Sequence, residues 1–74
     1  MKSRPLQKRV GEAIRRRREA LGFSQEAFAD RIRMHRAYYG ALERGEKNLQ
    51  LSTLERVSAG LGAALWEILK EAES

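Results

Sequence analysis

The sequence predicts an all-α fold, a compact five-helix domain that contains a helix-turn-helix. Apolar residues recur at spacings of three, four and seven along most of the chain, which is the pattern of amphipathic helices. No stretch alternates apolar and polar residues with a period of two, and no Asn-Gly or Asp-Gly hairpin turn occurs. With 74 residues, of which 42% are hydrophobic, the chain allows one domain with a single small core.

The first predicted helix runs from about Pro5 to Leu21 and ends at Gly22. Its apolar face consists of residues at helical spacing: Leu6, Val10, Ile14 and Leu21. Ser24 is a suitable N-cap for a short second helix, because its hydroxyl can accept a hydrogen bond from a free backbone N–H group. Three residues form the inward face of that second helix: Phe28, Ala29 and Ile32.

A short break at residues 33–35 precedes a third helix, predicted from about Arg36 to Arg44 and ended by Gly45. Tyr39 and Leu42 are its inward residues. Since only about three residues separate the second and third helices, the two must cross at a steep angle, as they do in a helix-turn-helix.

The last two predicted helices follow a polar loop, residues 46–50. Ser52 and Glu55 fit a capping box for the fourth helix, and Gly62 ends it. Its apolar residues are Leu54, Val57 and Leu61. The fifth helix carries Leu65, Ile68 and Leu69 and frays into a C-terminal tail, residues 70–74.

Several classes of protein are excluded or disfavoured by composition. The chain has no cysteine, which excludes disulfides and thiolate metal sites, and a single histidine, His35, argues against zinc. Paired carboxylates, a nucleophile–base set and a glycine-rich phosphate loop are all missing, so we expect neither an enzyme nor a cofactor. No apolar run reaches the roughly 18 residues of a membrane span, and no signal core follows the basic start. We therefore expect a cytoplasmic protein.

The charge of the chain is unevenly distributed. Its net charge is +5, but residues 1–36 hold eleven Lys and Arg against four Asp and Glu, whereas residues 37–74 hold four against six. A basic half favours a polyanionic partner such as nucleic acid. On charge alone, a solvated surface rich in arginine explains the pattern equally well.

Two sequence motifs carry a resemblance to a known family. They are LGFSQEAFA at residues 21–29 and LERG at residues 42–45. With them the chain resembles the Cro/phage-repressor (XRE) family of helix-turn-helix DNA-binding proteins, whose fold is lambda-repressor-like. It is most similar to small single-domain regulators such as restriction–modification controller proteins. The resemblance implies a basic arm and the start of helix 1 over residues 1–9, and a DNA-binding domain over 10–69 with its helix-turn-helix at about 24–44.

The resemblance assigns base reading to the leading outward positions of the third helix. These positions are His35, Arg36, Ala37, Tyr38, Gly40 and Ala41. Arg36 is the strongest candidate because a guanidinium can donate two hydrogen bonds to guanine O6 and N7, although a phosphate contact is an equal alternative. Tyr39 takes the buried apolar position of the family.

Phosphate contacts are implied at the start of the second helix and in the loop after the third. The candidates are Gln25, Lys47, Asn48 and Gln50, to which Arg33 adds a cation in the turn. Free N–H groups at the start of a helix favour an anion there, and an ordinary polar surface is the alternative. The family usually has glycine at the position of Arg33 and Ser or Thr at that of His35. Arg33 must therefore adopt an unfavourable backbone conformation, or the turn must relax.

Two further expectations concern contacts between helices and between copies of the chain. The resemblance implies a largely buried ion pair between Arg18 and Glu43, with two exposed charges as the alternative. A dimer interface is expected at Leu65, Trp66 and Leu69, unless Trp66 folds back over the core.

These features together predict a homodimeric, sequence-specific transcriptional regulator that binds a pseudo-palindromic operator in double-stranded DNA and is therefore nucleoid-associated. One alternative is an antitoxin that represses its own promoter. Another is a protein-interaction module that uses the same fold without reading DNA. A protein partner, a toxin or polymerase, is left open, and no membrane partner is expected.

Overall fold

The computed structural model describes residues 5–74, in which five α-helices follow one another. They are α1 Leu6–Ala20, α2 Gln25–Arg31, α3 Arg36–Glu43, α4 Leu51–Leu61 and α5 Leu65–Glu73. This described part contains no strand, so the predicted all-α class and the order of the five helices are confirmed. None of the five helices is long and apolar enough to cross a membrane. The basic arm at residues 1–4 lies outside the described residues.

The core lies where α1 packs against α5 and α3, α2 packs against α3, and α4 packs against α5. Its buried residues are Val10, Ala13, Ile14, Phe28, Ala29, Ile32, Tyr39, Leu42, Leu54, Val57, Leu61, Ile68 and Ala72. At its centre the ring of Phe28 lies 5.3 Å from that of Tyr39 in a tilted arrangement, which aromatic pairs favour. The inward faces predicted for α2 and α3 are therefore correct.

The ends of α1 depart from the predicted apolar face. Val10 and Ile14 are buried, but Leu6 is 46% and Leu21 52% exposed. Leu6 is the first residue of the helix and Leu21 is its C-cap, so the two exposed leucines lie at the ends of α1. Gly22 follows with a φ of 87°, a left-handed conformation that favours glycine at the end of a helix.

A glycine inside α1 brings that helix unusually close to α3. A Cβ at Gly11 would overlap the carbonyl oxygen of Glu43 and lie 2.7 Å from that of Leu42. No side chain fits between the two backbones at this point, so α1 directly supports the C-terminal end of α3. Ala is the better helix former, and the close approach explains why glycine stands here.

The predicted start of α4 is wrong. The helix begins at Leu51, with Gln50 as an N-cap that makes no side-chain cap hydrogen bond, and Ser52 lies inside the first turn. The backbone carbonyl of Gln50 already accepts the N–H of Leu54 at 3.0 Å, so the first helical hydrogen bond forms before Ser52. The expected end of α4 is correct, because its C-cap Gly62 is left-handed.

The predicted C-terminal tail is also wrong, because α5 continues through Glu73 and buries Ala72. Glu71 accepts hydrogen bonds from Arg17 Nε at 2.8 Å and from Arg16 Nε at 3.1 Å. The acidic end of the chain resembles a solvated segment in sequence, but the basic face of α1 supplies the partners that hold it as helix. At the other end of α5, Glu67 Oε1 accepts the backbone N–H of Ala64.

Candidate nucleic-acid interface

The turn between α2 and α3, residues 32–35, has the hydrogen bonds of a Schellman motif. The N–H of Met34 donates to the carbonyl of Ala29 at 2.8 Å, and the N–H of Arg33 donates to that of Asp30 at 3.1 Å. Among residues 5–74, Arg33 is the only non-glycine residue with a positive φ, at 57°. A side chain in this left-handed region costs about 1–2 kcal/mol. The turn therefore keeps the backbone geometry of a glycine without having one.

Two arginines connect α4 and the end of α2. Arg56 Nη2 donates to the carbonyl of Ile32 at 2.8 Å and to that of Arg33 at 2.5 Å. Arg31 Nε donates to the carbonyl of Gly60 at 3.1 Å. Sequence reasoning missed both contacts, because nothing in the helical period indicates which exposed arginine reaches a backbone more than twenty residues away.

The leading end of α3 is exposed. His35 caps the helix, since its Nδ1 accepts the N–H of Ala37 at 3.2 Å, and it does so with extended backbone. His35, Arg36 and Ala37 all face solvent. Arg36 Nη1 lies 3.2 Å from Glu26 Oε2, and both side chains are about two-thirds exposed. Such an exposed ion pair contributes little stability, so Arg36 can exchange this partner for another.

The middle of α3 does not match the predicted reading face. Gly40 and Ala41 are buried, so the expectation that both face outward is wrong. Gly40 lies beneath two side chains, because a Cβ there would be 3.2 Å from Arg44 Nη1 and 3.4 Å from Gln25 Oε1. Tyr38 is half-buried, with Lys47 Nζ 5.7 Å from the centre of its ring. Exposed reading positions are therefore confined to the first turn of α3.

A buried carboxylate joins α1, α2 and α3. Glu43 accepts hydrogen bonds from Arg18 Nε at 2.7 Å and Arg18 Nη2 at 3.1 Å. It also accepts one from the hydroxyl of Tyr39 at 2.5 Å and one from Gln25 Nε2 at 2.9 Å. The third guanidinium nitrogen, Arg18 Nη1, donates to the carbonyl of Phe23 at 2.7 Å. The structure thus places Arg18 and Glu43 in a buried ion pair, and the candidate phosphate ligand Gln25 is held by it.

The charge on this carboxylate is maintained by its partners. Burial alone raises the pKa of Glu43, but hydrogen bonds from Arg18, Tyr39 and Gln25 outweigh it and hold the pKa below the ordinary value of 4.5. Burial and the hydrogen bond to Glu43 raise the pKa of the Tyr39 hydroxyl. The hydrogen bond to Glu43 likewise raises the pKa of Arg18. The network is therefore a charged pair with a neutral phenol at physiological pH.

Candidate phosphate ligands lie beside α3 at two places. Gln25, the first residue of α2, reaches the position of Gly40, and Lys47, in the loop after α3, reaches Tyr38. Asn48 and Gln50 are exposed in the same loop. The structure thus brings two of the residues expected to bind phosphate, Gln25 and Lys47, beside the helix expected to read bases.

The indole of Trp66 is exposed rather than folded over the core. Its exposed fraction is 63%, against half-buried neighbours Leu65 and Leu69 in α5. Arg17 of α1 borders the same shallow groove, which Lys70 and Glu71 also line. A large aromatic surface therefore faces solvent next to charged groups of both signs.

Comparison with known proteins identifies the family. A profile of helix-turn-helix proteins, HTH_3, matches residues 14–65. The chain belongs to this helix-turn-helix family. Control protein C.MunI of a Mycoplasma species is 41% identical over 66 residues, which cover 88% of the chain and 89% of that protein.

Solved structures of regulators have the same fold. The clp gene regulator ClgR from C. glutamicum superposes with a TM-score of 0.92 at 30% identity, covering 97% of this chain and 92% of that one. The restriction–modification controller protein C.Esp1396I, solved as a tetramer with its natural 35-base-pair operator, gives a TM-score of 0.83 at 29% identity. That comparison covers 97% of this chain and 100% of the controller.

This member of the HTH_3 family is a DNA-binding transcriptional regulator and not an enzyme. The resemblance to the XRE family and to small controller proteins, inferred from the two motifs, is confirmed.

Proposed function

We propose that the protein is a controller-type regulator that binds a pseudo-palindromic operator as a homodimer, with the first turn of α3 in the major groove. The observation that carries this proposal is the exposed leading end of α3 on a helix whose other side is anchored in the core. The residues of a recognition helix that reach base edges are those near its N-terminus. The names of the relatives favour this function over an antitoxin.

Base reading falls to the exposed residues of that turn. The guanidinium of Arg36 can donate two parallel hydrogen bonds to guanine O6 and N7 once it leaves Glu26. Ala37 presents a methyl group that suits contact with thymine, and His35 lies beside it. Half-buried Tyr38, which lies beside Lys47, is proposed to contact the sugar–phosphate backbone.

Candidate phosphate ligands on both sides of α3 support the same orientation. Gln25 is fixed by Glu43 at the start of α2, where free N–H groups also favour an anion. Lys47, Asn48 and Gln50 are exposed beyond the other end of α3, and Arg33 is exposed in the turn. Contacts of this kind set the register of a protein on DNA without reading its sequence.

The dimer is proposed at α5, around Trp66, Leu65 and Leu69. An exposed indole next to partly buried leucines is a typical composition for the core of an interface, where aromatic residues are enriched. The assembly of the controller C.Esp1396I on its operator as a tetramer supports association of copies on DNA. A two-fold axis near α5 would carry two α3 helices to successive major grooves, about 34 Å apart.

Selection of DNA from a randomised pool tests this proposal. The protein should enrich duplexes with two inverted half-sites whose centres lie about one helical turn apart. Its affinity for any duplex should fall by orders of magnitude as salt rises from about 50 to 200 mM. Enrichment of a single asymmetric site, or of no sequence at all, would contradict the proposal.

A further inference from the structure

We propose that Arg56 of α4 is a positioning residue for DNA recognition, which fixes the turn before α3 and thereby the direction of Arg36. The inference rests on the proposed function, in which the first turn of α3 reads bases. Arg56 itself lies outside α2 and α3 and makes no contact with α3 among the hydrogen bonds described above.

The turn needs outside support because of the residue at its centre. Arg33 adopts the left-handed conformation that glycine adopts without strain. A non-glycine residue persists there only where the surrounding structure holds it. The Schellman hydrogen bonds secure the N–H groups of Arg33 and Met34, but they leave the carbonyls of Ile32 and Arg33 to find other partners.

Arg56 supplies those partners. A single nitrogen, Nη2, donates to both carbonyls, and α4 lies against α2 at this point because a Cβ on Gly60 would overlap the side chain of Ile32. The guanidinium therefore ties the strained residue to α4, whose residues Leu54, Val57 and Leu61 are buried in the core. Only Met34 and His35 separate Arg33 from Arg36. A rotation of the turn would reach Arg36 without a flexible segment to absorb it.

A phosphate contact is the competing role for an exposed arginine in this position. The two roles predict different effects on DNA binding. A phosphate ligand contributes equally to all sequences and to the salt slope. A residue that acts through the direction of Arg36 contributes to the preferred sequence and leaves other sequences nearly unchanged.

The experiment compares Arg56→Met, which keeps the aliphatic stem, with Arg33→Gly and the double variant. Binding is measured by fluorescence anisotropy on a duplex that the parent protein has selected from a random pool, and on a shuffled duplex of the same composition. Losing the two bonds should leave the turn misplaced in most molecules and weaken binding to the selected duplex about five- to tenfold, which corresponds to about 1–1.4 kcal/mol of binding free energy. Binding to the shuffled duplex should change by less than about twofold, with an unchanged salt slope.

Glycine at position 33 should make Arg56 unnecessary. Arg33→Gly removes a surface charge and therefore weakens binding to both duplexes alike. The test is therefore decided by the ratio of the affinity for the selected duplex to that for the shuffled duplex. In the Arg33→Gly background that ratio should fall less when Arg56→Met is added than it does in the parent. Arg31→Ala is the matched control, since Arg31 also joins α2 and α4 but bonds the carbonyl of Gly60 rather than the turn. It should leave the ratio unchanged.

Each other outcome overturns the inference. An equal loss on both duplexes with a salt slope lower by about one makes Arg56 a phosphate ligand. If Arg56→Met leaves the ratio of the two affinities unchanged, Arg56 has no positioning role. An Arg56→Met protein that circular dichroism shows to be unfolded, and that Arg33→Gly does not restore, means that Arg56 supports the whole fold. If the parent selects no sequence, the proposed function fails before Arg56 is tested.

Discussion

Replacing Glu43 by alanine should unfold much of the protein, because it leaves a buried cation without its partner. The side chains of Arg18 and Glu43 are 8% and 2% exposed. Glu43→Ala would remove the acceptor of two Arg18 bonds, one Tyr39 bond and one Gln25 bond at once. Breaking a buried pair from one side costs about 3–5 kcal/mol. The free energy of unfolding of a domain is about 5–15 kcal/mol, and small domains are only marginally stable.

The measurement is urea unfolding followed by far-ultraviolet circular dichroism. We expect Glu43→Ala to lower the midpoint strongly. Arg18→Met with Glu43→Leu should recover part of the loss, since the buried hydroxyl of Tyr39 still lacks its acceptor. Apolar residues of similar volume often replace a buried ion pair without cost. The comparison separates the cost of an isolated charge from the value of the pair. A Glu43→Ala protein that loses less than about 1 kcal/mol would refute the reasoning, because such a loss is typical of a surface pair.

The same network makes stability depend on pH in a direction that follows from its pKa shift. The folded pKa of Glu43 lies below its ordinary value of 4.5, so the unfolded chain binds the proton first as the pH falls. The contribution of the pair is complete above about pH 4.5 and is lost as the pH falls through the folded pKa. Arg18→Met with Glu43→Leu should lose less stability than the parent between pH 5 and pH 3, in unfolding curves measured at each pH.

Four further substitutions test other parts of the structure. Gly11→Ala should destabilise the domain by about 1–3 kcal/mol through overpacking against α3, despite better helix propensity; an unchanged urea midpoint would contradict the close approach of the two backbones. Arg36→Ala should lower the binding free energy for the selected duplex by about 1–3 kcal/mol and change that for a shuffled duplex little, whereas Lys47→Ala should weaken binding to both duplexes alike. Equal losses on the two duplexes for Arg36→Ala would mean that Arg36 contacts phosphate. Trp66→Ala should shift the protein towards monomer in analytical ultracentrifugation while leaving its helix content intact, and undiminished self-association would place the interface elsewhere.

Local patterns predicted the features of the fold that depend on one segment at a time. Helical period identified Val10 and Ile14 as core residues, and the left-handed glycines stand where helices were expected to end. The S-x-x-E pattern at Ser52 misplaced the start of α4, because the same four residues also fit inside a helix that has already begun.

Contacts between distant segments were beyond the reach of such patterns. The burial of Gly40 depends on Gln25 and Arg44, which cover it from α2 and from the end of α3. The helical end of α5 depends on Arg16 and Arg17. The resemblance implied the pair of Arg18 and Glu43, but not that the same carboxylate also holds Gln25.

The separation of buried and exposed residues along α3 has a consequence for how operators and regulators diverge. Tyr39, Leu42 and Glu43 attach this helix to the domain, whereas its exposed first turn takes no part in the core. Codons for Arg36 and Ala37 can therefore change without compensating changes in the core. On the proposed base-reading role of these residues, a duplicated gene can acquire a different operator in few mutational steps. Two such copies would share one scaffold and still regulate separate promoters, and grafting the first turn from a related regulator should transfer its DNA preference intact.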